Sequence, residues 1–316
     1  HTGENAALRI NAMATKANNN GAGSSLDKNG IAGTYAWGIG TRDEFAVSLY
    51  HLDNNNGMNY GMPWIRPTAN AGVADTTLLP LDPANYYGAK SDYNDGSASM
   101  VTLSHVHRFE GSAELKTQVR AGQFERDQRA GAIRLAAAAQ QPGGVAASLA
   151  NFGPATRLTR GNHLKIQDMD TVHLQSDFSD KFQALGVRHE LLAGFDFAHE
   201  KKKVYGARSA AQGGVTINKP TTTVGTPNDG AWVDERSRVL RTTSDFEAKG
   251  WGIYAQDLVQ VAPHWKLLGG LRYDSMDGDY NSYAIPNAAP GPVTTTAYRQ
   301  KISEWSKRFG VLYQPT

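Results

Sequence analysis

The chain contains no cysteine, which removes a disulfide framework, a thiolate zinc site and a cysteine nucleophile together. It also lacks a surplus of either charge. Its 32 Lys+Arg against 30 Asp+Glu leave a formal charge of +2, so no electrostatic argument points to nucleic acid as a partner. Long apolar runs are missing: none approaches the roughly 18 residues that a membrane helix requires, which excludes a helical membrane protein. Catalytic signatures are equally scarce. No HExxH, GxSxG, Walker-type glycine loop or dinucleotide fingerprint occurs, and His199–Glu200 lacks the second histidine of a zinc protease. The sequence therefore reads as a non-enzyme without a resident cofactor. The opening HTGENAALRINAM carries neither an initiator residue nor a basic-plus-apolar signal region, so the natural start is expected upstream.

What the chain has instead is alternation. Its 316 residues include 33 Gly, with many Asn, Asp and Thr, a composition that leans towards turns and strands. Leu8, Ile10 and Ala12 oppose Arg9, Asn11 and Thr15 with a period of two, which is the signature of a strand with one apolar and one polar face. The same pattern predicts strands over 30–40, 44–52, 94–109, 112–126, 165–179, 187–200, 246–262, 265–275 and 303–315, about ten in all. In the 112–126 run, Glu114, Lys116, Gln118 and Arg120 share one side, whereas Ala113, Leu115, Thr117 and Val119 share the other. A helix would scatter both sets.

Strand length separates a soluble sheet from a membrane barrel. Soluble strands centre on about five or six residues, whereas a tilted outer-membrane strand needs about 9 to 11, and most of these runs exceed ten. The links at 40–44, 109–112, 179–187 and 262–265 are short, whereas those at 54–93, 127–164, 201–245 and 280–302 are long and polar. Such alternation puts every long loop at one end, as in transmembrane barrels, which have tight periplasmic turns and extended outer loops. Trp251, Trp265, Tyr273, Trp305 and Tyr313 fall near strand ends and suit interfacial girdles. A soluble sandwich or propeller would instead show a repeat of fixed period, and none is present.

The segment GWGIYAQDLVQVAPHWKLLGGLRYD at 250–274 resembles a hairpin of TonB-dependent siderophore receptors. NYYGAKSDYNDGSASMVTLSHVHRF at 85–109 and GMNYGMPW at 57–64 are similar to the loop-to-strand passage of the catecholate-type receptors, and RFGVLYQPT at 308–316 to a later strand. The resemblance implies an all-β, antiparallel transmembrane barrel of about 22 strands with a plug in its lumen. Residues 1–316 would then be a central barrel fragment in the bacterial outer membrane, monomeric when complete, without the plug, the TonB-contacting segment or the C-terminal strands. Its ligand would be a ferric siderophore, with iron arriving already chelated. A passive porin is the alternative with the same alternation.

A large anionic chelate suits aromatic faces and guanidinium groups on outer loops. The candidates are Tyr60, Trp64, Arg66, Tyr86, Tyr87 and Tyr93 in the first long loop, followed by Arg126 and Arg129. The tyrosines and Trp64 equally fit an interfacial belt or loop packing. Lys201, Lys202, Lys203 and Arg208 suit anionic chelates, lipopolysaccharide phosphates or a solvated strand end. No metal site is expected. His105 and His107 share a strand face without a neighbouring carboxylate, Asp277 and Asp279 flank a glycine as turn residues do, and Asp168 and Asp170 lack the spacing of a calcium loop. Glu114, Arg120, Arg188, Glu190, Asp196, Arg272 and Asp274 read as a polar lumen wall.

Overall fold

The structure, a computed structural model, describes residues 3–18, 23–286 and 292–315. Part of the fourth long link, at 287–291, and the two chain ends lie outside them. The strands run in chain order β1 (Ala6–Ala17), β2 (Leu26–Trp37), β3 (Asp43–Gly57), β4 (Trp64–Ile65), β5 (Thr77–Leu78), β6 (Tyr93–Arg108), β7 (Glu114–Ala130), β8 (Ile133–Leu135), β9 (Arg157–Arg160), β10 (His163–Ala184), β11 (Val187–Ala207), β12 (Thr222–Thr223), β13 (Leu240–Ala262), β14 (Trp265–Ala284) and β15 (Thr294–Tyr313). Ten of them form one antiparallel sheet in the order β1-β2-β3-β6-β7-β10-β11-β13-β14-β15. Each long strand pairs only with its neighbours in the chain, leaving β1 and β15 as open edges.

All ten expected strands are present, but several run further than alternation alone indicates. β10 has 22 residues and β13 has 23, long enough to cross the bilayer at a tilt and continue into the loops. Thus the expected 179–187 link shrinks to Leu185 and Gly186, with φ of 51° and 80°. Two successive positive φ angles match a tight primed hairpin turn, a shape that glycine adopts without strain. Asp277 and Asp279 are corrected likewise. They sit within β14, and Arg299 on β15 clamps Asp277 at 2.6 Å, with Lys301 at 3.1 Å. Cross-strand ion pairing, rather than turn chemistry, explains them.

Register aligns the apolar residues of all ten strands on one face. Tyr35 lies opposite Val47, Val47 opposite Leu103, Leu103 opposite Val119 and Val119 opposite Leu174. Leu49, Leu103 and Leu271 on this face remain 60%, 51% and 52% exposed, an arrangement that water would penalise and lipid would not. Aromatic residues bracket the apolar zone. Trp251, Tyr273 and Trp305 meet with ring centroids 5.5 and 5.1 Å apart, and Trp265 meets Tyr313 at 4.6 Å near the short turns.

The opposite face is polar. Glu114, Arg120, Arg188, Glu190, Asp196, Arg272 and Asp274 all fall on it by register. Arg272 donates to Asp196 at 2.7 and 3.0 Å and to Asp274 at 2.8 Å, and its guanidinium carbon lies 5.2 Å from the Tyr254 ring centroid. Gly252 gives the guanidinium room, since a Cβ there would come within 2.3 Å of Nη2.

The buried core lies in the long loops, because a one-layer wall has lipid on one side and a lumen on the other. Ile65, Leu79 and Tyr87 of the first long loop pack with Ile133 and Leu158 of the second and Val224 of the third. A three-stranded sheet, β12-β9-β8, joins the second and third loops. Exposed backbone edges on β1 and β15 cost several kcal/mol per unsatisfied group in hydrocarbon. Residues 1–316 refolded alone in detergent are therefore expected to run as one unfolded band on a gel with or without heating; heat-resistant migration would contradict this.

Candidate functional site

The polar face meets the loop cap in a mouth built from two adjacent rows. Register places Lys28, Asn54, Gly96, Arg126 and Gln167 in one row and Asn56, Asn94, Gln128 and Lys165 in the next. Arg126 donates from Nε to Asn94 Oδ1 at 3.2 Å and from Nη2 to Gln128 Oε1, and Gln128 Nε2 donates to the Tyr60 hydroxyl. Tyr60 in turn packs on His163, with centroids 5.4 Å apart. Lys28, Asn54, Asn56, Asn94 and Arg126 line a recess of about 330 Å³ together with Asp95 and Glu125, which alternate to the other face of their strands. The Asn54 Oδ1 atom is buried without a hydrogen-bond partner. Among the described residues, Lys28, Arg126 and Lys165 form no ion pair with a carboxylate. Two cations without a carboxylate partner in an amide-rich recess, with Lys165 in the adjoining row, favour an anionic, oxygen-rich ligand.

The sequence candidates separate into three groups. Tyr60 and Arg126 meet through Gln128 at the mouth. Trp64 is 64% exposed on the loop above, and Arg66 stands two residues further on, half-buried, its carbonyl accepting from the Leu149 amide at 2.8 Å.

Tyr86, Tyr87, Tyr93 and Arg129 are engaged within the scaffold. The Tyr86 hydroxyl donates to the carbonyls of Met58 and Ala89, and that of Tyr87 to Val224 at 2.8 Å. Burial holds both phenols above their usual range, with the charge of Asp92 adding to the effect at Tyr86. Tyr93 and Arg129 project from the apolar face, opposite Arg126. There Arg129 lies 5.9 Å from the Tyr93 ring centroid, pairs with Asp127 at 2.8 Å and donates to the Glu235 carbonyl. Strand alternation splits the basic run as well: Lys201 and Lys203 share a face, with Lys201 3.5 Å from Glu247, whereas Lys202 points the other way.

Two features lay beyond sequence reasoning. The first is the ionic lock of the cap. Lys219, fully buried, sits 2.5 Å from Asp92 and 3.0 Å from Glu235, which also holds Arg238 at 2.5 Å. Arg160, also fully buried, binds the Tyr87 and Pro220 carbonyls and Asp229. Glu235 and Arg238 are neighbours in sequence, but the pairs that tie the loops together, from Arg160–Pro220 to Lys219–Asp92, lie 60 to 127 residues apart and give no local signal. The second feature is a carboxylate for the histidine pair. Asp43 Oδ1 lies 2.9 Å from His105 Nε2 and 2.6 Å from His107 Nδ1. Asp43 opens β3 and faces His107 across the ladder, a neighbour that only correct strand pairing reveals.

Comparison with known proteins accords with this geometry. The family described as TonB dependent receptor-like, beta-barrel matches residues 31–316, and the chain belongs to it. Its barrels are outer-membrane structures, so the apolar face is the lipid face and the polar face the lumen wall. The chain is 25% identical over 339 aligned positions to the catecholate siderophore receptor Fiu of Escherichia coli K12, covering 99% of this chain and 42% of that one. The crystal structure of Fiu in its open form superposes with a TM-score of 0.80 at 20% identity, over 100% of this chain and 49% of that one. The siderophore receptor PiuA from Acinetobacter baumannii gives 0.77 at 18% identity, over 100% and 44%. The chain thus spans about two fifths of the length of the curated relatives it matches. Family membership sets the porin and soluble-sheet alternatives aside.

Burial works to raise the Glu235 and Asp229 carboxyls, but their cationic partners outweigh it and hold both below the ordinary range. Groups depressed by folding stabilise the cap fully above the ordinary carboxylate values, and that contribution disappears as pH falls through the depressed ones. Protection factors of the loop amides in the complete protein, taken against the intrinsic exchange rate at each pH, are expected to be high at pH 6 and to fall below about pH 4. Lys219→Met, which strands the buried Asp92 and leaves Glu235 with Arg238 alone, should loosen the cap by about 3–5 kcal/mol. Exchange that is unchanged in this variant would refute the lock.

Proposed function

We propose that the chain is the central wall of an outer-membrane receptor that takes up a ferric siderophore of the catecholate class by TonB-coupled transport. The observation that carries this reading is the mouth on the lumen face, where Lys28 and Arg126 flank Asn54 and Lys165 stands in the adjoining row, cations that pair with no carboxylate among the described residues. A ferric catecholate presents negatively charged oxygens around the metal and aromatic rings at its edge. Arg126 and the lysines suit the oxygens, and Trp64, Arg66 and Tyr60 are the side chains suited to the rings. The similarity to the catecholate receptor Fiu supports the same ligand class.

In this reading the chelate is ligand and cargo, and iron stays wrapped in it. The protein carries no resident cofactor and performs no bond-making chemistry. A plug fills the lumen of a barrel of about 22 strands, and charges such as Arg272 and Asp196 face it. TonB, acting through a segment outside this chain, supplies the work that moves the plug. Lipopolysaccharide meets the outer rim of the lipid face, where Lys201 and Lys203 stand, and the complete barrel is a monomer.

Arg126→Ala in the complete receptor is expected to weaken binding of a ferric catecholate by about 10–100-fold, the scale of one charged hydrogen-bonding group. Arg126→Lys should recover part of the loss, and Arg299→Ala on the lipid face should have no effect. Quenching of intrinsic tryptophan fluorescence by the chelate reads all three. Equal affinity in Arg126→Ala and the unaltered protein would remove the mouth from the binding site.

A further inference from the structure

We infer that Asp43, His105 and His107 form a binding site for a divalent transition ion such as Zn²⁺ on the lipid-facing side of the wall, at its short-turn end. Strand geometry does most of the assembly. His105 and His107 are two residues apart on β6 and share a face, and Asp43 on β3 lies opposite His107 in the ladder. The three side chains converge from two strands, with their ligating atoms all within 4.8 Å of one another.

The separations suit a small ion. Bonds of about 2.0–2.1 Å to nitrogen and oxygen in a tetrahedron set ligand atoms about 3.3–3.5 Å apart. Asp43 Oδ1 is now 2.9 Å from His105 Nε2 and 2.6 Å from His107 Nδ1, so the cluster need open by less than about 1 Å to admit the metal. Two imidazoles with one carboxylate are a borderline donor set that favours zinc, nickel or copper over calcium or magnesium. All three side chains remain partly exposed, at 39%, 22% and 43%, which leaves a fourth position for water.

The rings are held in place. His105 stacks on Phe45 with centroids 4.3 Å apart and planes 6° apart, and His107 meets Phe109 edge-on at 4.6 Å. Packing on both sides restricts the rotamers that would otherwise carry the nitrogens away, so the entropy of arranging the ligands is largely lost on folding. Among the described residues, no lysine or arginine pairs with Asp43. The nearby Arg108 pairs with Glu44 and Glu114 instead. A bound ion would tie β3 to β6, the two strands that the 58–92 loop joins, and would stabilise the wall by linkage.

The test uses the complete protein without a histidine tag, in detergent micelles stripped with chelator. Calorimetric titration should show one more equivalent of Zn²⁺ bound by the unaltered protein than by His105→Ala/His107→Ala, with at least tenfold weaker binding in Asp43→Asn. Equal stoichiometry and affinity in all three proteins would overturn the site. Should the double variant fail to fold, Cu²⁺ bound to the unaltered protein decides the matter by its electron paramagnetic resonance spectrum. Hyperfine coupling to two imidazole nitrogens supports the assignment, and its absence overturns it. Neither readout depends on which chelate the receptor carries.

Discussion

Hydrocarbon offers the backbone no hydrogen-bond partner, so every amide and carbonyl within the bilayer must be satisfied by a neighbouring strand. That constraint produces the ladders that run from β1 to β15, with register shifts only towards strand ends, at Val204/Tyr205 and Gln260/Ala262. Continuous ladders fix register, and register fixes which side chains share a face. A slip of one residue in β7 would send Arg120 into lipid and Val119 into the lumen. The lipid surface, the lumen wall and the mouth are therefore consequences of one pairing pattern. The two-residue Leu185–Gly186 turn and the other short links hold that pattern at one end of the wall.

At the other end the chain is freed from lipid and packs conventionally. The loop core around Ile65, Leu158 and Tyr87 is small, and buried ion pairs add order to it. Burying Lys219, Asp92 and Glu235 costs desolvation, and their mutual pairing offsets it. What such a network confers is a defined arrangement: Lys219 and Arg160 find their carboxylates in one placement of the three loops. In the first long loop Tyr60 meets Gln128 while Trp64 stays exposed. The lipid-facing wall uses a related device at its short-turn rim, where His189 pairs with Asp257 at 2.6 Å and stacks on Phe182.

The wall was legible in the sequence because alternation is local: Glu114, Lys116, Gln118 and Arg120 announce a polar face without knowledge of any partner. Strand ends were less so. Alternation fades where β10 and β14 leave the bilayer and both faces become polar, so Asp277 and Asp279 read as a turn although Arg299 lies beside them across the ladder. The loop residues were least legible. Tyr87 and Trp64 are both aromatic in polar loops, yet one is core and the other exposed, a difference set by contacts 137 residues away at Val224. Asp43 and His107 likewise depend on strand pairing over 64 residues. Composition can nominate such side chains, and only the fold can sort them.

The central claim is that this wall belongs to an energised importer of ferric catecholates. Accumulation of radioactive iron, supplied as a ferric catecholate to iron-starved cells of the source bacterium, tests it most directly when cells with the gene are compared with cells from which it has been deleted. The account predicts uptake that is lost on deletion and abolished by a protonophore. Uptake that survives deletion for every catecholate supplied, or that proceeds undiminished without a proton gradient, would contradict it.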